Sequence, residues 1–152
     1  MMVENRTPIV IGSDHAAFVL KEKIKAFLME HAIDVEDVGC YSEDSVDYPD
    51  IGIKVASMVS SGKFRQGILL CGTGIGMSMV ANKFPRVRAA LCADIFSAIM
   101  SRRHNNANIL VLGGRVIGDI LAMEIVKVWL ETPFDGGRHQ RRLEKIDRIN
   151  KD

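Results

Sequence analysis

Four short stretches of the chain are apolar at nearly every position: residues 8–12, 67–71, 89–92 and 109–112. A strand with one wet face alternates apolar and polar residues, whereas these runs need cover on both faces. Between them lie segments with helical periodicity. Ala17, Leu20, Ile24, Phe27 and Leu28 share one helix face, with Lys21, Glu22, Lys23 and Lys25 elsewhere. A shorter strand is expected at 35–38, closed by Gly39, followed by polar loop over 40–49. Helices are expected at 51–60, 77–83, 94–104 and 117–131, the last turning Leu121, Ile125, Val128 and Trp129 inward. Pro133 and Gly136-Gly137 then break the chain before a charged helix over 138–150. Strand and helix in alternation imply a parallel sheet between two helical layers. The expected fold is therefore a single three-layer α/β/α domain over 1–152. It has a five-stranded parallel sheet and a C-terminal helical arm.

Composition removes several classes of function. With 152 residues, 47% of them hydrophobic, the chain can bury a real core. A formal net charge of +1 and only six Phe, two Tyr and one Trp give nucleic acid little to bind. No apolar run is long enough to cross a bilayer, so no membrane partner is expected. Residues 1–6 carry no apolar signal segment, which predicts a cytoplasmic protein. Three cysteines without C-x-x-C spacing fit free thiols in a reducing compartment and no zinc site. The sequon Asn5-Arg6-Thr7 reads as chance in that setting.

The residues with chemical potential fall at predicted strand ends, where open parallel sheets bind ligands. Asp14 and His15 follow the first strand, and Cys71-Gly72-Thr73-Gly74-Ile75-Gly76 follows the third. Three glycines in that stretch let backbone approach a ligand, and the helix after it offers free N–H groups to a phosphate or oxyanion. Such donors beside a cysteine favour thiolate, its reactive form. The alternative is a tight turn holding an inert thiol. Neither nucleotide signature fits: no lysine follows Gly76, and Met77 stands where a dinucleotide fingerprint needs its last small residue. Asp14 equally suits a helix N-cap, and His104-Asn105-Asn106 a helix end. His31 suits the end of the first helix, and Cys40 and Cys92 read as small hydrophobes. Arg138 and Arg142, four apart, could clamp one dianion or form a solvated face balanced by Glu144 and Asp147.

Taken in order, the motifs G-S-D-H-A-A (12–17), D-Y-P (47–49), C-G-T-G-I-G (71–76), A-N-K-F (81–84), S-R-R-H-N (101–105), G-G-R (113–115) and G-G-R-H-Q-R-R (136–142) closely resemble ribose-5-phosphate isomerase type B. That type belongs to a larger family with galactose- and allose-phosphate isomerases, and the resemblance runs from about Ile9 to about Ile149. It implies reversible conversion of D-ribose 5-phosphate to D-ribulose 5-phosphate through a cis-enediolate, a step of the pentose phosphate pathway, with no metal and no organic cofactor. It implies a five-stranded parallel Rossmann-like α/β/α sandwich, and homodimers, sometimes tetramers, whose active site is completed across the interface. Cys71 matches the family's base; another branch uses a glutamate in the Gly-rich loop, and 72–78 holds no carboxylate. Thr73 with the amides of Gly72, Gly74, Ile75 and Gly76 resembles the stabiliser of the enediolate oxygen. His104, aided by Asp14, matches the ring-opening acid. Asn105, Asp14 and Tyr48 match hydroxyl-binding positions, while His15, Arg115, Arg138 and Arg142 resemble the phosphate grip. The competing expectations are a hexose 6-phosphate isomerase, for allose or galactose 6-phosphate, and a phosphate-binding module without turnover.

Overall fold

The computed structural model describes residues 7–149. Residues 1–6, with most of the sequon, and the expected helix end at Asn150 lie outside that range. Five strands form one parallel sheet in the order β2-β1-β3-β5-β4: β1 (Ile9–Ser13), β2 (Val35–Asp37), β3 (Gln66–Cys71), β4 (Ala89–Leu91) and β5 (Ile109–Gly113). Six α-helices cover it: α1 (Phe18–Glu30), α2 (Tyr48–Ser60), α3 (Ile75–Ala81), α4 (Ile95–Arg103), α5 (Asp119–Glu131) and α6 (Arg138–Asp147). All five expected strands form, and the three central ones are buried on both faces. Ile11, Ile68, Leu70 and Leu110 pack under α1, α4 and α5. Val10, Leu69, Cys71 and Val111 pack under α2 and α3 on the other side. Each large side chain buried this way contributes about 1.5–3 kcal/mol, which explains why the strands lack polar positions.

Several details depart from the periodicity. Helix α2 begins at Tyr48, three residues before the first strongly apolar position, because Pro49 is already shaped for a first helical turn. Helix α3 begins at Ile75, directly after Gly74, whose φ of 81° turns the chain sharply from strand to helix. In α5 the fully buried residues are Ala122, Ile125, Val126 and Trp129, while Leu121 and Val128 flank the same core half-buried. Lys21, expected on the wet face of α1, has no exposed surface at all. Its ammonium donates to both oxygens of Asp37 (2.7 and 2.8 Å) and to the Cys40 carbonyl (2.6 Å). Burial pushes the Asp37 carboxyl up, but hydrogen bonds from Lys21, Lys25 and the Gly39 amide outweigh it and hold the group below the usual carboxylate range. This cluster ties α1 to the end of β2 and to the loop leading into α2. Asp37→Asn is expected to cost about 3–5 kcal/mol, because it strands a buried ammonium. Urea unfolding of the variant checks the figure.

At Ala89 the free edge of β4 is met by a side chain. The Asn82 amide donates to the Ala89 carbonyl (3.0 Å) and accepts from the Ala89 N–H (2.9 Å), as a neighbouring strand would. Helix α6 is seated on its own chain through His139 and Leu143, its two buried residues. Among the described residues, no helix is long and apolar enough to cross a membrane.

Candidate active site

The strand order reverses between β1 and β3, since β2 lies to one side of β1 and the later strands to the other. In such sheets this switch point opens a crevice at the carboxyl ends of the strands. Asp14, His15, Tyr48, residues 71–76 and Arg115 all gather there. Asp14 follows β1, its N–H donating to the Leu70 carbonyl (3.1 Å) and its Oδ1 accepting from the Ala17 amide (3.3 Å). It is thus the N-cap that its sequence suggests, held 7% exposed at the crevice. The Val46 N–H donates to His15 Nδ1 (3.1 Å). That bond anchors the His15 ring to the loop before α2.

Cys71 ends β3 and is 5% exposed. Its Sγ accepts from the Gly74 N–H at 3.2 Å, which holds the sulfur against the Gly-rich turn. Thr73 Oγ1 accepts from the Ile75 N–H (3.2 Å), which leaves its own O–H free to donate into the crevice mouth. The tight glycines have concrete neighbours. A methyl at Gly76 would sit 2.5 Å from the Tyr48 ring, and one at Gly113 would sit 2.6 Å from the Thr73 carbonyl oxygen. Arg115 lies over Gly72, where its guanidinium nitrogen would stand 3.6 Å from an added methyl. The turn holds through Gly114 N–H to the Cys71 carbonyl and Arg115 N–H to the Gly72 carbonyl, both 2.9 Å. Cys92 behaves differently: burial pushes its thiol up to about 11, which keeps it protonated and inert.

His104, Asn105, Arg138 and Arg142 stand at the other edge of the sheet. Helix α4 connects parallel neighbours β4 and β5, so it must run back to the amino ends of the strands. The residues just beyond His104 confirm this. The Asn106 carbonyl accepts from Arg88 Nε (3.0 Å), and the Asn108 carbonyl accepts from the Gly67 N–H (2.9 Å). Arg88 precedes β4 and Gly67 lies at the start of β3. Four strand steps from Gly67 to Cys71 put at least about 13 Å between the two groups within one chain. A cavity of about 340 Å³ at this edge is lined by Arg88, Ser101, Asn105, Leu143 and Ile146, among others, so α6 lies beside the end of α4.

His139 is the residue the sequence reading passed over. Its ring stacks on that of His104, centroids 4.2 Å apart and planes within 10°. Burial, then the nearby His104, Arg138 and Arg142, hold the His139 imidazole below its ordinary value, so it stays neutral near pH 7. The signal was Leu143, the single apolar residue in 138–145. Lying four positions after His139, it turns that histidine inward and leaves Arg138 and Arg142 exposed.

Residues 9–146 match the family model described as Ribose/Galactose Isomerase. The chain belongs to that family. It is 46% identical to ribose-5-phosphate isomerase B of Escherichia coli (strain K12) over 141 residues, covering 93% of this chain and 95% of the relative. It is also 46% identical over 142 residues to the D-erythrulose-4-phosphate isomerase of Pectobacterium atrosepticum, covering 91% of each. Among solved structures, ribose-5-phosphate isomerase B of Clostridium thermocellum superposes with a TM-score of 0.93 at 51% identity, covering 95% of this chain and 97% of the other. This ribose/galactose isomerase fold is therefore shared almost end to end.

Proposed function

We propose that this isomerase interconverts D-ribose 5-phosphate and D-ribulose 5-phosphate, at a site assembled from two copies of the chain. The observation that carries the assembly is the separation just described. A base and oxyanion donors stand at one edge of the sheet, and an acid with two arginines stands at the other. A substrate a few ångströms long cannot bridge them within one chain. Ile75, Met79, Leu91 and Phe96, on α3, β4 and α4, are exposed apolar side chains. Their character supports a second copy packed against them.

Each residue then has one task. Cys71 as thiolate takes the C2 proton of the open-chain aldose, and the electrons move into a cis-enediolate. The Thr73 hydroxyl and the amides from Gly72 to Gly76 stabilise the charged oxygen. The O2 proton passes to O1, the same thiol returns its proton to C1, and the carbonyl ends at C2. His104 of the neighbouring copy protonates the ring oxygen of the cyclic sugar to open it, with Asp14 opposite. Tyr48, Asn105 and Asp14 hold hydroxyls. His15 and Arg115 grip the phosphate from one copy, Arg138 and Arg142 from the other. No step calls for a metal or an organic cofactor. One domain over 1–152 in the cytoplasm completes the reading.

The deciding experiment compares turnover of ribose 5-phosphate, erythrulose 4-phosphate and allose 6-phosphate, with solvent deuterium incorporation as the check on enolisation. The largest kcat/KM is expected for ribose 5-phosphate. Preference for either other sugar overturns the substrate, and no deuterium exchange with any of them overturns catalysis. Arg138→Ala and Arg142→Ala are each expected to raise KM roughly ten- to a hundredfold, from losing about 1.5–3 kcal/mol of charge-assisted hydrogen bonding. Lysine should restore little, since it lacks the planar fork. Inhibition by inorganic phosphate checks this: unchanged affinity in the alanine variants would make these arginines a solvated helix face.

A further inference from the structure

We propose that His104, Asp135 and His139 form a reversible site for one borderline divalent cation, such as Zn²⁺, whose binding withholds His104 from proton transfer. Each residue offers a donor atom, and the three donors lie within 4.8 Å of one another. Tetrahedral zinc with bonds of 2.0–2.2 Å needs donors about 3.4 Å apart, so the widest pair has roughly 1.4 Å to close. The rings stack face to face at 4.2 Å with planes 10° apart, so their in-plane lone pairs run side by side, and binding requires one imidazole to turn out of the stack.

The three residues share one joint. His104 caps the end of α4, and the Asp135 N–H donates to the Arg103 carbonyl one residue earlier (3.0 Å). The Asp135 carboxylate accepts from Arg103 Nε at 3.2 Å, which holds it beside the histidines. His139 follows four residues later, buried at the start of α6. Two imidazoles and one carboxylate suit zinc, cobalt or nickel better than magnesium or calcium. Three protein ligands leave a fourth position for water or a sugar oxygen. Arg138 and Arg142 oppose a cation here and Asp135 favours one, a balance that suits release as well as binding.

Binding stands independently of the functional reading, while its effect on turnover rests on the role assigned to His104. The probe is Zn²⁺ alone, added to untagged protein by equilibrium dialysis. It is run on the full chain and on Cys71→Ser, which removes the competing thiol. The expected result is one Zn²⁺ per chain in both, weakened about tenfold or more by Asp135→Asn and by His139→Phe. Phenylalanine keeps an aromatic ring against His104, and thermal unfolding verifies that each variant is folded. Co²⁺ in place of Zn²⁺ should give tetrahedral visible bands without a sulfur charge-transfer band. Binding that disappears in Cys71→Ser, or that ignores both Asp135→Asn and His139→Phe, overturns the site. In the wild type, turnover should fall with the same Zn²⁺ dependence and recover with a chelator. Occupancy of the site with undiminished turnover overturns the withholding of His104. A chain inactive on every sugar would instead fail the functional reading, and dialysis would still read the site.

Discussion

Cys71→Ala should lower kcat by about 10²–10⁴, the usual contribution of a positioned acid–base group, while the chain still folds and binds phosphate. The sulfur supplies one small patch of the core under α2 and α3. Its loss also leaves the Gly74 N–H without its acceptor, at about 1–3 kcal/mol. Cys71→Ser separates the two effects. Serine keeps an acceptor for Gly74 but is a far weaker proton shuttle, so it should regain stability without regaining rate. Either variant retaining more than about a tenth of wild-type turnover would remove Cys71 as the base. Alkylation gives an independent reading, because Cys92 is held as a protonated thiol. A substrate-protected label should map to the peptide carrying Cys71.

The second large effect is a recovery. Cys71→Ala and His104→Ala should each be nearly inactive alone, since every site in either homodimer lacks a reacting group. Mixed, they form heterodimers in which one site carries both lesions and the other carries none. Equal amounts, exchanged at random, should return about a quarter of the wild-type activity. Chain exchange must be demonstrated first, for instance with differently tagged copies separated by charge. Exchanged but inactive mixtures would mean that one chain supplies both groups, which overturns the two-copy site. Arg142→Ala should complement Cys71→Ala in the same way, and should fail to complement His104→Ala.

The strands were legible because burial on two faces leaves no position for a polar residue, and Val10, Leu69 and Val111 show it. The start of α2 was missed because periodicity reads packing, whereas Asp47, Tyr48 and Pro49 begin the helix for backbone reasons. Lys21 was misjudged for a related reason. A lysine inside the core is decided by its partner, and Asp37 lies sixteen residues away. The division of the site was within reach of the sequence. In a β-α-β unit the end of the helix lies beside the start of the next strand, so His104 could not share an edge with Cys71. The stacking of His139 on His104 was hidden more deeply, since it depends on the turn at Gly136 and Gly137, both at positive φ.

Asn82 bears on what the outer strand can pair with. A bare outer strand offers its backbone to any other strand, and sheets that continue through such edges have no built-in end. By answering both the donor and the acceptor of Ala89, the Asn82 amide occupies the rung on which an intruding chain would start. A strand approaching this border therefore meets an amide side chain at Ala89 instead of open backbone.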